Sequence, residues 1–178
     1  MWKEVIDFWF VESDPQNWFQ QSDAFDEKIR QRFSRLHAQA AACELDKWRQ
    51  HPEGRLAEIL LLDQFSRNLF RGSAKSYAWD ALALALSQEA LRQEADKALE
   101  AKQKAFLYMP FMHSESLIIQ KQSLQLYSQK GLEENLPFAE SHYKIIEEFG
   151  RYPHRNEELE RTSTAAELSF LKKHGRGF

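Results

Sequence analysis

The chain has 178 residues, 43% of them hydrophobic, 29% charged and 13% aromatic, with a formal net charge of −3. A chain of that length buries roughly 70% of its unfolded surface, so folding needs neither a disulfide nor a metal, and the sole cysteine, Cys43, permits no intrachain disulfide. A pI near 6.1 argues against general nucleic-acid binding, Met1-Trp2-Lys3-Glu4 does not open a signal peptide, and the apolar run 59–62 is far too short to cross a bilayer, so a cytoplasmic protein without a membrane segment is expected.

In chain order, Phe8-Trp9-Phe10 and Trp18-Phe19 crowd five rings into the N-terminal stretch. Two readings are open: an aromatic pocket or partner-binding patch, or a cap of rings closing one end of the core, the commoner fate of apolar rings. Asp23 precedes a helical pattern over 24–42, with Asp26 three residues on. Ser73 precedes another over 74–94, striped by Ala78, Leu82, Ala85 and Leu86, and Ser114 one over 115–130. Asn135 before Leu136-Pro137 reads as an N-cap with proline in the first turn, and Thr164-Ala165-Ala166-Glu167 has capping-box spacing. Gly72, Gly131, Gly150 and Gly175 each follow a helical stretch and mark its stop. No segment alternates with period two, and valine occurs only at Val5 and Val11.

Helix starts near Arg55, Ala74, Asp96, Glu115 and Leu136 recur every ~20 residues, so a pair would span about 40, within the range of helical-repeat arrays. No residue-level repeat accompanies the rhythm, and a plain antiparallel bundle fits it equally. With no linker or low-complexity tract, residues 1–178 are expected to form one all-α domain.

Three segments concentrate chemistry. In Leu62-Asp63-Gln64-Phe65-Ser66-Arg67-Asn68-Leu69-Phe70-Arg71, a regular helix would align Asp63, Arg67 and Arg71 with the apolar face of Leu56 and Leu60. Charges there bind something or form an internal Asp63–Arg67 pair, because burying them alone is expensive. In Tyr108-Met109-Pro110-Phe111-Met112-His113-Ser114-Glu115, Pro110 predicts a break and Ser114 a restart. That places His113 at a turn beside a new helix N-terminus, suited to an anion or to a capping role. Glu115 is close to it in sequence but would point another way on a regular helix. In Gly150-Arg151-Tyr152-Pro153-His154-Arg155-Asn156, arginines suited to carboxylate or phosphate crowd a loop pinned by glycine and proline. A turn with surface ion pairs is the alternative there. His142 shares a face with Phe138, Ile145 and Phe149 and reads as a hydrogen-bonded core residue. Asp63, His113, Glu115 and His154 lack diagnostic metal spacing, no phosphate loop or catalytic signature is present, and nothing calls for a cofactor.

These segments, in this order with Phe8-Trp9-Phe10 and Trp18-Phe19, closely resemble the bacterial family catalogued as domain of unknown function 924, over nearly the whole chain. The resemblance implies a compact tetratricopeptide-like array of antiparallel helix pairs and no particular activity. The family commonly has proline where this chain has Ser66. A proline there would kink or end the helix and put Arg67 and Asn68 on a turn.

The function expected is a polar pocket for a small carboxylate or phosphate, with a catalytic role open. Arg67, Asn68, Arg71, Arg151, Arg155 and Asn156 would hold the anion, His113 or His154 would exchange a proton, and Asp63 or Glu115 would orient the imidazole. The alternative is a non-enzymatic scaffold that binds a peptide or protein along an exposed aromatic face using Trp2, Trp9 or Trp18. Contact with RNA through the arginines is a third reading, disfavoured by the acidic balance.

Overall fold

The computed structural model describes residues 1–175. Every regular element in them is helical. Helix α1 (Trp2–Asp7) runs on as a π-helical turn, Phe8–Glu12. Helix α2 (Asp23–Ala41) is capped by Ser22, whose hydroxyl accepts from the Phe25 amide, one residue ahead of the expected cap. Helix α3 (Pro52–Leu60) takes its proline in the first turn, passes into a second π-helical turn, Leu61–Phe65, and ends as α4 (Ser66–Leu69). The dihedrals stay in the right-handed region across both junctions, so 52–69 is one rod with a wide turn in the middle.

Ser73 caps a 3₁₀ turn, Ala74–Tyr77, and α5 (Asp80–Arg92) follows as a separate helix, so the expected 74–94 stretch is divided. Helix α6 (Ala101–His113) starts at a Glu100/Gln103 capping box and continues through Pro110. The expected break at that proline moves three residues on. Proline's φ is itself helical, and its cost, a missing donor and a ring clash with the carbonyl one turn back, is outweighed by burial of Met109, Phe111 and Met112. Helices α7 (Leu117–Tyr127), α8 (Leu136–Phe149) and α9 (Ala165–His174) complete the chain. Gly150 ends α8 with φ 69°, a left-handed cap open to glycine at no Cβ cost. The Thr164/Glu167 capping box opens α9 as its spacing predicts.

In the second half, neighbours pack in sequence, α5 on α6, α6 on α7 and α7 on α8, whereas α1 packs on α3 and α2 on the π turn and α4. The N-terminal rings divide between core and surface. Phe8 and Trp9 are buried against Phe65, with ring centres 6.0 and 5.3 Å apart. Trp18 is half-buried and Phe19 exposed.

Gly54 lies where α3 crosses the carbonyl of Trp48. A Cβ at position 54 would stand 2.1 Å from that backbone oxygen, which has no freedom to swing away. Alanine normally favours a helix over glycine by about 1 kcal/mol. Here Gly54→Ala should instead destabilise by about 1–3 kcal/mol, read as a lower urea midpoint at unchanged slope.

Candidate functional site

Asp63 leaves the π turn and is buried, with 1% of its surface exposed. Its Oδ1 accepts from His113 Nδ1 at 2.7 Å, and its Oδ2 from Gln64 Nε2 at 2.6 Å. The Arg67 guanidinium lies 3.9 Å away. Burial pushes the Asp63 carboxyl up, but His113, Arg67 and Gln64 together hold it down at about 2. An ionised Asp63 only accepts, so the proton of this pair sits on His113 Nδ1 and Nε2 is the nitrogen left to work.

Helix α6 presents His113 at its last residue, and distant side chains hold that helix end. Gln120 Nε2 donates to the carbonyls of Met112 and Ser114, each at 2.7 Å, and Tyr152 Oη also reaches the Met112 carbonyl. Arg155 donates to the His113 carbonyl at 3.0 Å. The open carbonyls of a helix C-terminus need such donors when they are buried.

Behind the dyad, Arg67 and Arg155 share one carboxylate, Asp80, at 2.9 and 3.1 Å. Arg67 also donates to the Ser76 carbonyl. Both guanidiniums lie over the Tyr77 ring, 4.8 and 4.6 Å from its centre. Two arginines and two carboxylates cancel, so the cluster is neutral with a neutral His113 and carries +1 once that ring is protonated.

A cleft of about 920 Å³ opens onto this arrangement, in the size range of small-molecule sites. His113, Arg67, Gln64 and His142 line its polar end, and Asn68 and Arg71 line a neighbouring wall. Phe106, Met109 and Met112 of α6 line it as well, with the 15–20 segment and the 131–135 loop contributing further walls. Asn68 and Arg71 both bind the buried Asp26, with Asn68 Nδ2 and Arg71 Nε each at 2.7 Å. Asn68 is helical rather than on a turn, whereas Arg71 lies beyond the end of α4, so the straight Asp63–Arg67–Arg71 stripe ends at Arg67.

Of the residues singled out by sequence, Asp63, Arg67, His113 and Arg155 come together. Glu115 accepts from Arg161 and from the Tyr152 amide, and Arg161 Nε also donates to Asn156 Oδ1 at 2.9 Å. Arg151 forms a paired contact with Glu167 at 2.6 and 2.9 Å. None of Glu115, Asn156, Arg151 or His154 lines the cleft. His154 stands beside the Tyr152 ring, 5.5 Å centre to centre. Asp80, which neutralises two arginines, was not singled out, since in sequence it is only an acid in the first turn of a helix. His142 donates Nδ1 to the Phe138 carbonyl at 2.8 Å and its ring lies 6.4 Å from that of His113.

A buried His37–Ser66 contact of 2.9 Å offers a second chemical candidate. The Ser66 hydroxyl donates its one proton to the Leu62 carbonyl, so His37 must be the donor and the serine is not activated. Among the described residues, no group of three or more His, Cys, Asp and Glu side chains is placed to hold a metal ion, and no helix is long and apolar enough to cross a membrane.

The family model described as "Bacterial protein of unknown function (DUF924)" matches residues 5–175. The chain belongs to that family. A solved relative, a protein of unknown function from Agrobacterium tumefaciens, is 39% identical, with 97% of each chain covered and a TM-score of 0.88. No curated protein matches the chain.

Burial pushes three imidazoles of this family member down from the ordinary 6.5: His37 and His142 to about 4, and His154, with Arg155 adding to the effect, to about 3. Below pH ~6.5 the unfolded chain takes up protons that the folded one refuses, so stability falls with pH through this window. Each imidazole contributes at most about 1.4 kcal/mol per pH unit. His142→Gln should flatten the decline of the urea midpoint between about pH 7 and about pH 5. An unchanged slope would place the proton uptake elsewhere.

Proposed function

We propose that the cleft binds a small carboxylate or phosphate at Arg67 and His113, and that the Asp63–His113 dyad exchanges a proton with it or with a water beside it. The observation that carries this reading is a histidine fixed at Nδ1 by a buried carboxylate, at the polar end of a cleft and next to an arginine. A carboxylate in that place holds the ring in one tautomer and stabilises the imidazolium that forms when Nε2 takes a proton. The resulting +1 charge matches one carboxylate. No serine, threonine or cysteine lines the cleft among the described residues, so the chemistry supported is proton transfer or water activation rather than acyl transfer through a hydroxyl or thiol. Arg155 serves as a positioning residue, through the His113 carbonyl and Asp80. The scaffold alternative is left with Trp18 and its neighbour Phe19, since Trp9 is 1% exposed and Trp2 packs against the core.

A thermal-shift screen of carboxylates and phosphates tests the reading. Active compounds should raise the melting temperature of the wild type, and Arg67→Lys should weaken them about 10- to 100-fold, the worth of one or two charge-assisted hydrogen bonds. His113→Asn should keep the apo fold and lower any turnover far more than affinity. A wild-type protein that no anion in the screen stabilises would sink the proposal.

A further inference from the structure

The aromatic residues left in water are not scattered. Among the described residues, the exposed rings are Phe19, 72% exposed, and Phe138, 56% exposed, and both line the cleft. An apolar ring held in water costs free energy that a ligand can recover. Phe19 lies nearly parallel to Phe106, at 10° with centres 6.4 Å apart. Trp18 stands edge-on to Phe106 at 5.0 Å, and its Nε1 donates to the Trp9 carbonyl at 3.0 Å. That bond to a core residue fixes the indole plane, so this part of the wall is rigid before anything binds. Phe19, by contrast, is largely uncovered and can adjust.

The charge pattern bears on the other end of the ligand. Arg67 and His113 mark one place for an anion; elsewhere in the lining Lys102 lies 5.6 Å from the Trp18 ring, Arg71 is paired with Asp26, and Glu133 and Glu134 stand on the 131–135 loop. The cleft, at about 920 Å³, is far larger than a bare carboxylate or phosphate fills. We infer that its ligand is an anion carrying a flat aromatic group, with the carboxylate or other charged head at Arg67 and His113 and the ring against Phe19 and Trp18, which cover the buried Phe106. This rests on the anion-binding reading above and adds the class of molecule. Rings share this wall with Ala101, Ala105, Met109 and Met112, and at the rings planar groups gain stacking beyond the area they bury.

Four probes separate the possibilities by calorimetry on the full chain: phenylacetate, 2-naphthylacetate, hexanoate and the uncharged phenylacetamide. The two aryl carboxylates should bind roughly tenfold tighter than hexanoate, and phenylacetamide at least about tenfold weaker than phenylacetate. The double variant Phe19→Ala/Phe138→Ala removes exposed rings and should leave the apo melting temperature unchanged. It should bring phenylacetate within about twofold of hexanoate. Equal wild-type affinities for aryl and alkyl carboxylates, or an aryl preference that survives the double variant, would overturn the aromatic inference while leaving the anion site standing. If no carboxylate binds at all, the aromatic inference falls, and the anion site falls with it when the thermal-shift screen finds no phosphate either.

Discussion

A carboxylate buried at the heart of the molecule sets the terms for everything around it. Asp63 is ionised where almost no water reaches it, and an unpaired buried charge costs several kcal/mol. Its stability therefore depends on His113, Gln64 and Arg67 all being in place. That requirement spreads outward. Arg67 brings a charge that Asp80 must balance, Asp80 also serves Arg155, and Arg155 returns to the carbonyl of His113. The loop closes on itself, so four charged groups and one imidazole form a unit in which removing any member strands another.

Two departures from regular helix make this unit reachable. The π turn Leu61–Phe65 widens the rod 52–69 where Asp63 and Gln64 leave it, and such turns are frequent at functional sites because they redirect side chains without ending the helix. Helix α6 runs through Pro110 and stops at His113, so the imidazole sits at an end where side chains from α7 and the 150–156 loop can tie down the backbone. Ser66 has a place in the same design. It keeps the rod helical after the wide turn and takes the bond from His37, which a proline could not accept.

The remaining arginines do quieter work. Arg151 closes on Glu167 at the capping box of α9, and Arg161 joins Glu115 to Asn156 and the Tyr152 carbonyl. These contacts hold the 150–161 segment against α6 and α7, and thereby hold Arg155 in position. A polar segment dense in arginine can thus be almost wholly structural, with one of its members passing the effect on to the dyad.

Local chemistry was readable in the chain itself. Helical periodicity, the Thr164/Glu167 box, the proline after Asn135 and the glycine after Phe149 act over four residues or fewer, and they predict helices close to those observed. The residue types of the site were also legible, because aspartate, arginine and histidine beside apolar runs are costly without a purpose. Which of them meet was not. Asp63 and His113 are 50 residues apart, and Asp80 and Arg155 are 75 apart, so their pairing exists only once helices stack. The same holds for Arg151 and Glu115, whose partners Glu167 and Arg161 lie 16 and 46 residues on. Short-range hydrogen bonding and side-chain spacing determine where a helix begins and ends. Packing of distant helices alone decided which charges face a cleft and which neutralise each other.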